Sequence, residues 1–227
     1  MTMGEHVAAK ASDGNELDLY VARPEGKASA GVVVIQEIFG VNTHMQSVTN
    51  RFAQAGYLAA TPAMFDRIEK GVELGYDEAG RQKAMSFLPR LDFDAATLDV
   101  EAAVAYLHGQ GVSKVGVVGY CFGGTMAWLA ATRLHVDAAV GYYGGSIRKF
   151  AAEKVTAPVM LHFGAKDDHI PPAVAEAAQA ANAGIEVYWY EDAGHAFNRD
   201  VDPHVYAPEA AALAWERTLA FLKKNLG

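Results

Sequence analysis

A single cysteine, Cys121, stands among 227 residues, so no disulfide can form within the chain. A chain that relies on no disulfide suits a reducing compartment, and the cytoplasm is the expected location. Blocks of lysine or arginine are also missing. The 19 basic residues face 27 acidic ones, and the net charge of −8 sets aside nucleic acids and anionic membrane surfaces as partners. No apolar run is long enough to cross a bilayer, and residues 1–14 hold no apolar segment behind basic residues. Neither a transmembrane helix nor a secretory signal is therefore expected. The chain shows no internal repeat, low-complexity linker or domain boundary, so one domain over 1–227 is the expectation. What is present is a globular composition, 51% hydrophobic and 20% charged, with 22 glycines to serve many tight turns.

Hydrophobic periodicity and turn residues divide the chain into alternating elements. Residues 7–9 and 17–21, separated by Ser12-Asp13-Gly14-Asn15, read as an opening hairpin. Strands are predicted at 31–35, 57–61, 115–118, 138–143, 159–163 and 185–190. Helices are predicted at 44–55, 78–88, 93–108, 123–133, 172–182 and 206–224. In the helix over 93–108, Leu98, Ala102, Ala105 and Tyr106 are expected to form the apolar stripe. Residues 63–76 lack clear periodicity and are expected to run irregularly over the sheet edge. Strands alternating with helices from residue 31 onward imply an α/β fold, with a mostly parallel central sheet and helices on both faces.

One junction carries specific chemistry. The apolar strand Val115-Gly116-Val117-Val118 runs into Gly119-Tyr120-Cys121-Phe122-Gly123-Gly124, with a helix predicted directly after. This is the nucleophile elbow of α/β-hydrolases, with cysteine where serine is usual. Glycines flank such a nucleophile because a Cβ there would crowd the neighbouring backbone. The Phe122 N–H is expected to serve an oxyanion, and the helix N-terminus favours a thiolate. A buried core cysteine is the plainer alternative, and the strand–turn–helix context disfavours it.

The remaining groups lie in loops beyond the carboxyl ends of predicted strands, where open α/β sheets place their sites. His195 follows the last strand and is the expected general base. The acid lies in Gly164-Ala165-Lys166-Asp167-Asp168-His169-Ile170-Pro171, where the G-x-x-D-x-x-[VI]-P spacing favours Asp167 over its neighbour Asp168. The order nucleophile, acid, histidine is that of the α/β-hydrolases. A metal reading of His162, Asp167, Asp168 and His169 is disfavoured, because adjacent strand and loop residues diverge and no second cluster completes a site. Glu37, just after the buried strand at 31–35, is expected to face the site crevice, and the Ile38 N–H to be the second oxyanion donor.

Several segments together resemble the dienelactone hydrolases (carboxymethylenebutenolidases): Gln36-Glu37-Ile38-Phe39-Gly40-Val41-Asn42, Gly116 through Gly124, Val140-Gly141-Tyr142-Tyr143-Gly144 and Trp189 through Phe197. The likeness covers nearly the whole chain. It implies a triad of Cys121, His195 and Asp167, with Glu37 assisting activation of the thiol. It also implies that Arg81 and Arg199 bind a substrate carboxylate. Tyr143 is a further candidate for the pocket lining, although an aromatic at a strand end serves core packing equally well. The chain departs from the family at Met85 and Leu88, where aromatic residues are usual, which puts the shape of the substrate pocket in question. The resemblance implies no metal or organic cofactor, a chain acting alone on a small anionic lactone or ester, and a role in aromatic compound degradation.

A cysteine in this position constrains the substrate. Thiolate is itself a good leaving group, so the tetrahedral intermediate formed from an ordinary ester tends to revert. An enol-lactone expels a stabilised enolate and goes forward. A broader esterase or lactonase on the same machinery is the runner-up. A redox-sensing thiol protein is a remoter alternative, disfavoured because sensing needs no acid and histidine.

Overall fold

The computed structural model describes residues 4–227. Its eight strands fall in two compact units, Met1–Gly116 and Val117–Gly227, and the division lies inside the fifth strand.

In the first unit β1 (Glu5–Lys10) and β2 (Glu16–Ala22) form the antiparallel hairpin. Gly14 turns it at φ +93°, and the Asp13 carboxylate accepts the Asn15 N–H. β3 (Gly31–Ile35) pairs parallel with β4 (Leu58–Pro62), and β4 pairs antiparallel with β2, giving the order β1-β2-β4-β3. Every residue of β3 and β4 is buried, as continuous apolar runs require when both faces of a sheet are covered. The covering helices are α1 (Thr43–Gln54) and α3 (Phe93–Gly109), while α2 (Glu78–Phe87) packs on the segment between β4 and α3. The segment after β4 is irregular, as expected. Its Phe65 and Val72 pack with Phe87 of α2, with Ile38, Ile68, Leu74 and Leu91 around them. The Asp66 carboxylate ties it to β2 by accepting the Asp18 N–H, and it also accepts the Gly71 N–H.

The buried face of α3 differs from the expected stripe. Ala96, Val100, Ala103, Val104 and Leu107 face inward, whereas Ala105 is exposed and Leu98, Ala102 and Tyr106 are only partly covered. The reason is Asp99, a fully buried carboxylate on the inner face. It accepts hydrogen bonds from Arg67 Nε at 2.6 Å and Nη2 at 2.8 Å, and from Asn15 Nδ2 at 3.0 Å. A charge is buried only when paired, and this pair masks the helix's inner face in the sequence pattern.

The second unit runs from β5 (Val115–Tyr120) through α4 (Phe122–Arg133), β6 (Ala138–Tyr142), β7 (Val159–Gly164), α5 (Ala173–Ala181), β8 (Glu186–Tyr190) and α6 (Pro208–Leu226). Strand order is β5-β6-β7-β8, with β6, β7 and β8 parallel. From Phe122 to Ala131 every residue of α4 is buried. Small residues permit this: a Cβ on Gly124 would lie 2.3 Å from the Tyr142 carbonyl oxygen. A short 3₁₀ turn at Gly145–Lys149 had no signal in the sequence, since five residues carry no measurable period. α6 begins at Pro208 rather than 206, because proline's fixed φ suits the first helical position. Among the described residues no helix is long and apolar enough to cross a membrane.

Candidate active site

The second unit builds its site at the carboxyl ends of β5, β7 and β8. Cys121 sits between β5 and α4 with φ 55°, a left-handed conformation rare for a side-chain-bearing residue. Its N–H is held by the Tyr142 carbonyl at 3.0 Å, and its own carbonyl accepts the Gly124 N–H at 2.9 Å. The glycine before it is obligatory, since a Cβ on Gly119 would fall 1.8 Å from the Gly123 carbonyl oxygen. Phe122, the expected oxyanion donor, is the first residue of α4, where backbone N–H groups lie ahead of the helix's own carbonyls.

Among the described residues three non-glycines have positive φ: Cys121, Tyr143 at 40° and Ala196 at 60°. All three belong to this site. Such conformations cost on the order of 1–3 kcal/mol each and persist where the surroundings enforce them. Tyr143 is enforced by its N–H bond to the His162 carbonyl (2.8 Å) and by complete burial. Its ring lies 5.1 Å from that of His195 and 5.4 Å from that of Phe197. The polar atoms beneath are satisfied: His162 Nδ1 meets the Tyr190 hydroxyl at 2.9 Å, and Nε2 meets the Thr218 hydroxyl at 3.2 Å. Burial and the nearby Arg217 charge push the pKa of His162 down to about 3, so this ring is neutral and structural.

The loops after β7 and β8 are laced together. Ala165 N donates to the Tyr190 carbonyl and Lys166 N to that of Ala193, both at 2.9 Å. A Cβ on Gly164 would lie 2.4 Å from the Ala193 oxygen, so only glycine permits this approach. The lacing brings His195 Nδ1 to 2.7 Å from Asp167 Oδ2, to which it donates, and His195 Nε2 to 3.3 Å from Cys121 Sγ. Asp167 Oδ1 accepts the His169 N–H at 2.9 Å, so both carboxylate oxygens are engaged. Asp168, the competing acid, is exposed. Burial pulls the pKa of His195 down, but its hydrogen bonds to Asp167 and Cys121, and the charge of both, outweigh it and raise it to about 10. Burial would raise that of Asp167, yet the His195 hydrogen bond and charge hold it below the usual carboxylate value.

Arg199 lies four residues beyond His195, buried, with Nη1 3.3 Å from Asp202 Oδ2. Asp202 had no place among the residues expected from the sequence, where its one trace is the i,i+3 spacing of opposite charges, a spacing that exposed pairs share. His169, too, lies outside the expected triad. It is exposed, but its ring stands edge-on to His195 at 6.0 Å. Among the described residues no three of His, Cys, Asp and Glu converge as metal ligands.

Glu37, Ile38 and Arg81 belong to the first unit. Glu37 is buried at the end of β3. The residues around it explain the segment over 36–42. Gln36 accepts the Met64 N–H at 3.1 Å and donates to the Glu37 carbonyl at 3.2 Å. Phe39 packs edge-on against Tyr76, ring centroids 4.7 Å apart. Gly40, at φ +81°, passes so close to Val72 that a Cβ would fall 1.8 Å from its carbonyl oxygen. Asn42 caps α1 by accepting the Met45 N–H and donates to the Leu74 carbonyl. Four of the seven residues thus fix the loop that carries Glu37 and Ile38. Arg81 projects from α2 into solvent, and Met85 on the same helix is also exposed.

The sequence profile of the Dienelactone hydrolase family matches residues 17–226. The chain belongs to the dienelactone hydrolase family. It is 39% identical to a carboxymethylenebutenolidase of Pseudomonas putida, over 96% of this chain and 95% of that one. A second carboxymethylenebutenolidase, from Pseudomonas sp. strain P51, is 34% identical over 97% of this chain and 95% of its own length. Among solved structures, a Klebsiella pneumoniae protein provisionally named a dienelactone hydrolase superposes with a TM-score of 0.82 at 30% identity, covering 97% of this chain and 99% of that chain. An esterase from Pyrococcus furiosus, at TM-score 0.73 and 14% identity, covers 100% of this chain and 92% of its own and shares the fold. The chain therefore has the α/β-hydrolase fold and is a hydrolase of the dienelactone hydrolase type.

Proposed function

We propose that the protein opens an activated, carboxylate-bearing enol-lactone through an acyl-enzyme on Cys121. The observation that carries this reading is the chain of contacts from Sγ through His195 to Asp167, 3.3 Å and 2.7 Å. The substrate carboxylate docks on Arg199 and Arg81, which offset the repulsion an anion meets at a protein of net charge −8. Glu37 assists activation of the thiol, the sulfur attacks the lactone carbonyl, and the N–H groups of Ile38 and Phe122 stabilise the oxyanion. The ring C–O bond breaks, and the enolate oxygen, still tethered to the acyl-enzyme, takes the proton that His195 carried. Acylation uncharges the sulfur and so removes one of the influences that held that proton. His195 is then a base that takes a proton from water. The hydroxide adds to the thioester carbonyl, the C–S bond breaks, the new acid loses its proton to solvent as the dicarboxylate departs, and His195 keeps the proton taken from water beside the freed sulfur.

The test is steady-state hydrolysis of a carboxylated dienelactone and a matched neutral ester by the wild type and Arg199→Ala. A preference for the acid that disappears in the variant supports the reading. Equal rates on both substrates, indifferent to Arg199, would favour the broader esterase suggested by exposed Met85.

A further inference from the structure

The loop that follows His195 is closed on itself. Ala207 N donates to the Phe197 carbonyl at 3.0 Å, and the turn inside is organised around Asp202. The Asp202 N–H donates to the Arg199 carbonyl at 3.2 Å, and its own carbonyl accepts the N–H groups of Val205 (3.2 Å) and Tyr206 (3.0 Å). Oδ1 accepts the His204 N–H at 3.1 Å, which leaves Oδ2 facing Arg199 Nη1 at 3.3 Å. Although Val201, Pro203 and His204 around it are exposed, the side chains of Arg199 and Asp202 are only 8% and 12% exposed.

An arginine side chain has several soft torsions and five donors, and it recognises a carboxylate well only when its planar fork is aimed. The geometry points to Asp202 as a positioning residue for Arg199, a fixed anion that holds the guanidinium in the orientation that receives the substrate carboxylate. Three backbone hydrogen bonds and the capped Oδ1 make Asp202 nearly immobile, so its second oxygen is a fixed reference for the longer side chain. The counter-charge also offsets the cost of burying the guanidinium. This role rests on the reading that Arg199 binds the substrate carboxylate.

The test adds Asp202→Asn to wild type and Arg199→Ala, on the carboxylated dienelactone and its neutral ester. Asparagine keeps an oxygen to accept the His204 N–H while losing the charge. Asp202→Ser, whose hydroxyl can cap the same turn, serves if the asparagine variant fails to fold. The expected result is a KM for the carboxylated substrate about tenfold higher, the size of one lost charged hydrogen bond, with kcat and the neutral ester unchanged. An unchanged or lower KM in a protein whose wild type discriminates through Arg199 would overturn the proposal. So would equal losses on both substrates with a lowered Tm, which would make Asp202 a turn residue only. If the wild type does not discriminate, or does so without Arg199, the underlying reading fails first and the proposal falls with it.

Discussion

At the scale of single residues, His195 is where opposing forces are most evenly matched. Its burial disfavours charge, and two acidic neighbours restore it, so the imidazole is held protonated to about pH 10. Each neighbour should be separable. Cys121→Ser removes the sulfur's share and Asp167→Asn the carboxylate's, and each is expected to lower the pKa of His195 in an NMR titration of the ring protons. A titration unchanged in both variants would refute this account of its environment. Asp167→Asn should also lower kcat by about 10²–10⁴-fold, the usual worth of a positioned acid–base group. These three residues were legible in the sequence because each falls at a fixed place after a strand. Asp202 was not, because two side chains meeting across a turn leave only a spacing that many exposed pairs share.

At the scale of elements, glycines decide whether the strand ends can meet. Gly119→Ala sets a Cβ 1.8 Å from the Gly123 carbonyl oxygen, and neither atom belongs to a flexible side chain. The elbow must shift, and a loss of stability of about 1–3 kcal/mol or more is expected, together with loss of turnover. Gly164→Ala should separate the acid loop from the histidine loop in the same way. Gly109, the last residue of α3, is the control. A Cβ there meets nothing within 4 Å, so Gly109→Ala should be neutral or stabilising by about 0.5–1 kcal/mol in chemical denaturation. Equal effects at all three positions would contradict this reading. Element type was legible nearly throughout because short apolar strands alternate with longer helical segments from residue 31 onward. The inner face of α3 was not, because a buried aspartate looks like a solvent residue until Arg67 is found beside it.

At the scale of the whole molecule, the triad links stability to pH. The raised pKa of His195 contributes stability that is complete below its unfolded value of 6.5 and is lost as pH rises through about 10. The lowered pKa of Asp167 works in the other direction. Its contribution is present above 3.8 and is lost as pH falls through the folded value. The two overlap between about pH 4 and 6.5, where the pair supports the fold most. The Tm advantage of the wild type over His195→Ala should therefore narrow as pH rises from 6.5 toward 10. An advantage independent of pH would sink that expectation.

The central claim is that Cys121 is the nucleophile, and it is tested most directly by quenching turnover of the carboxylated dienelactone in wild type and Cys121→Ala and weighing the intact proteins and their proteolytic peptides. The account predicts an acyl adduct confined to the Cys121 peptide of the wild type, and a folded variant without adduct or turnover. Turnover at the wild-type rate by Cys121→Ala, or an adduct on another residue, would contradict it.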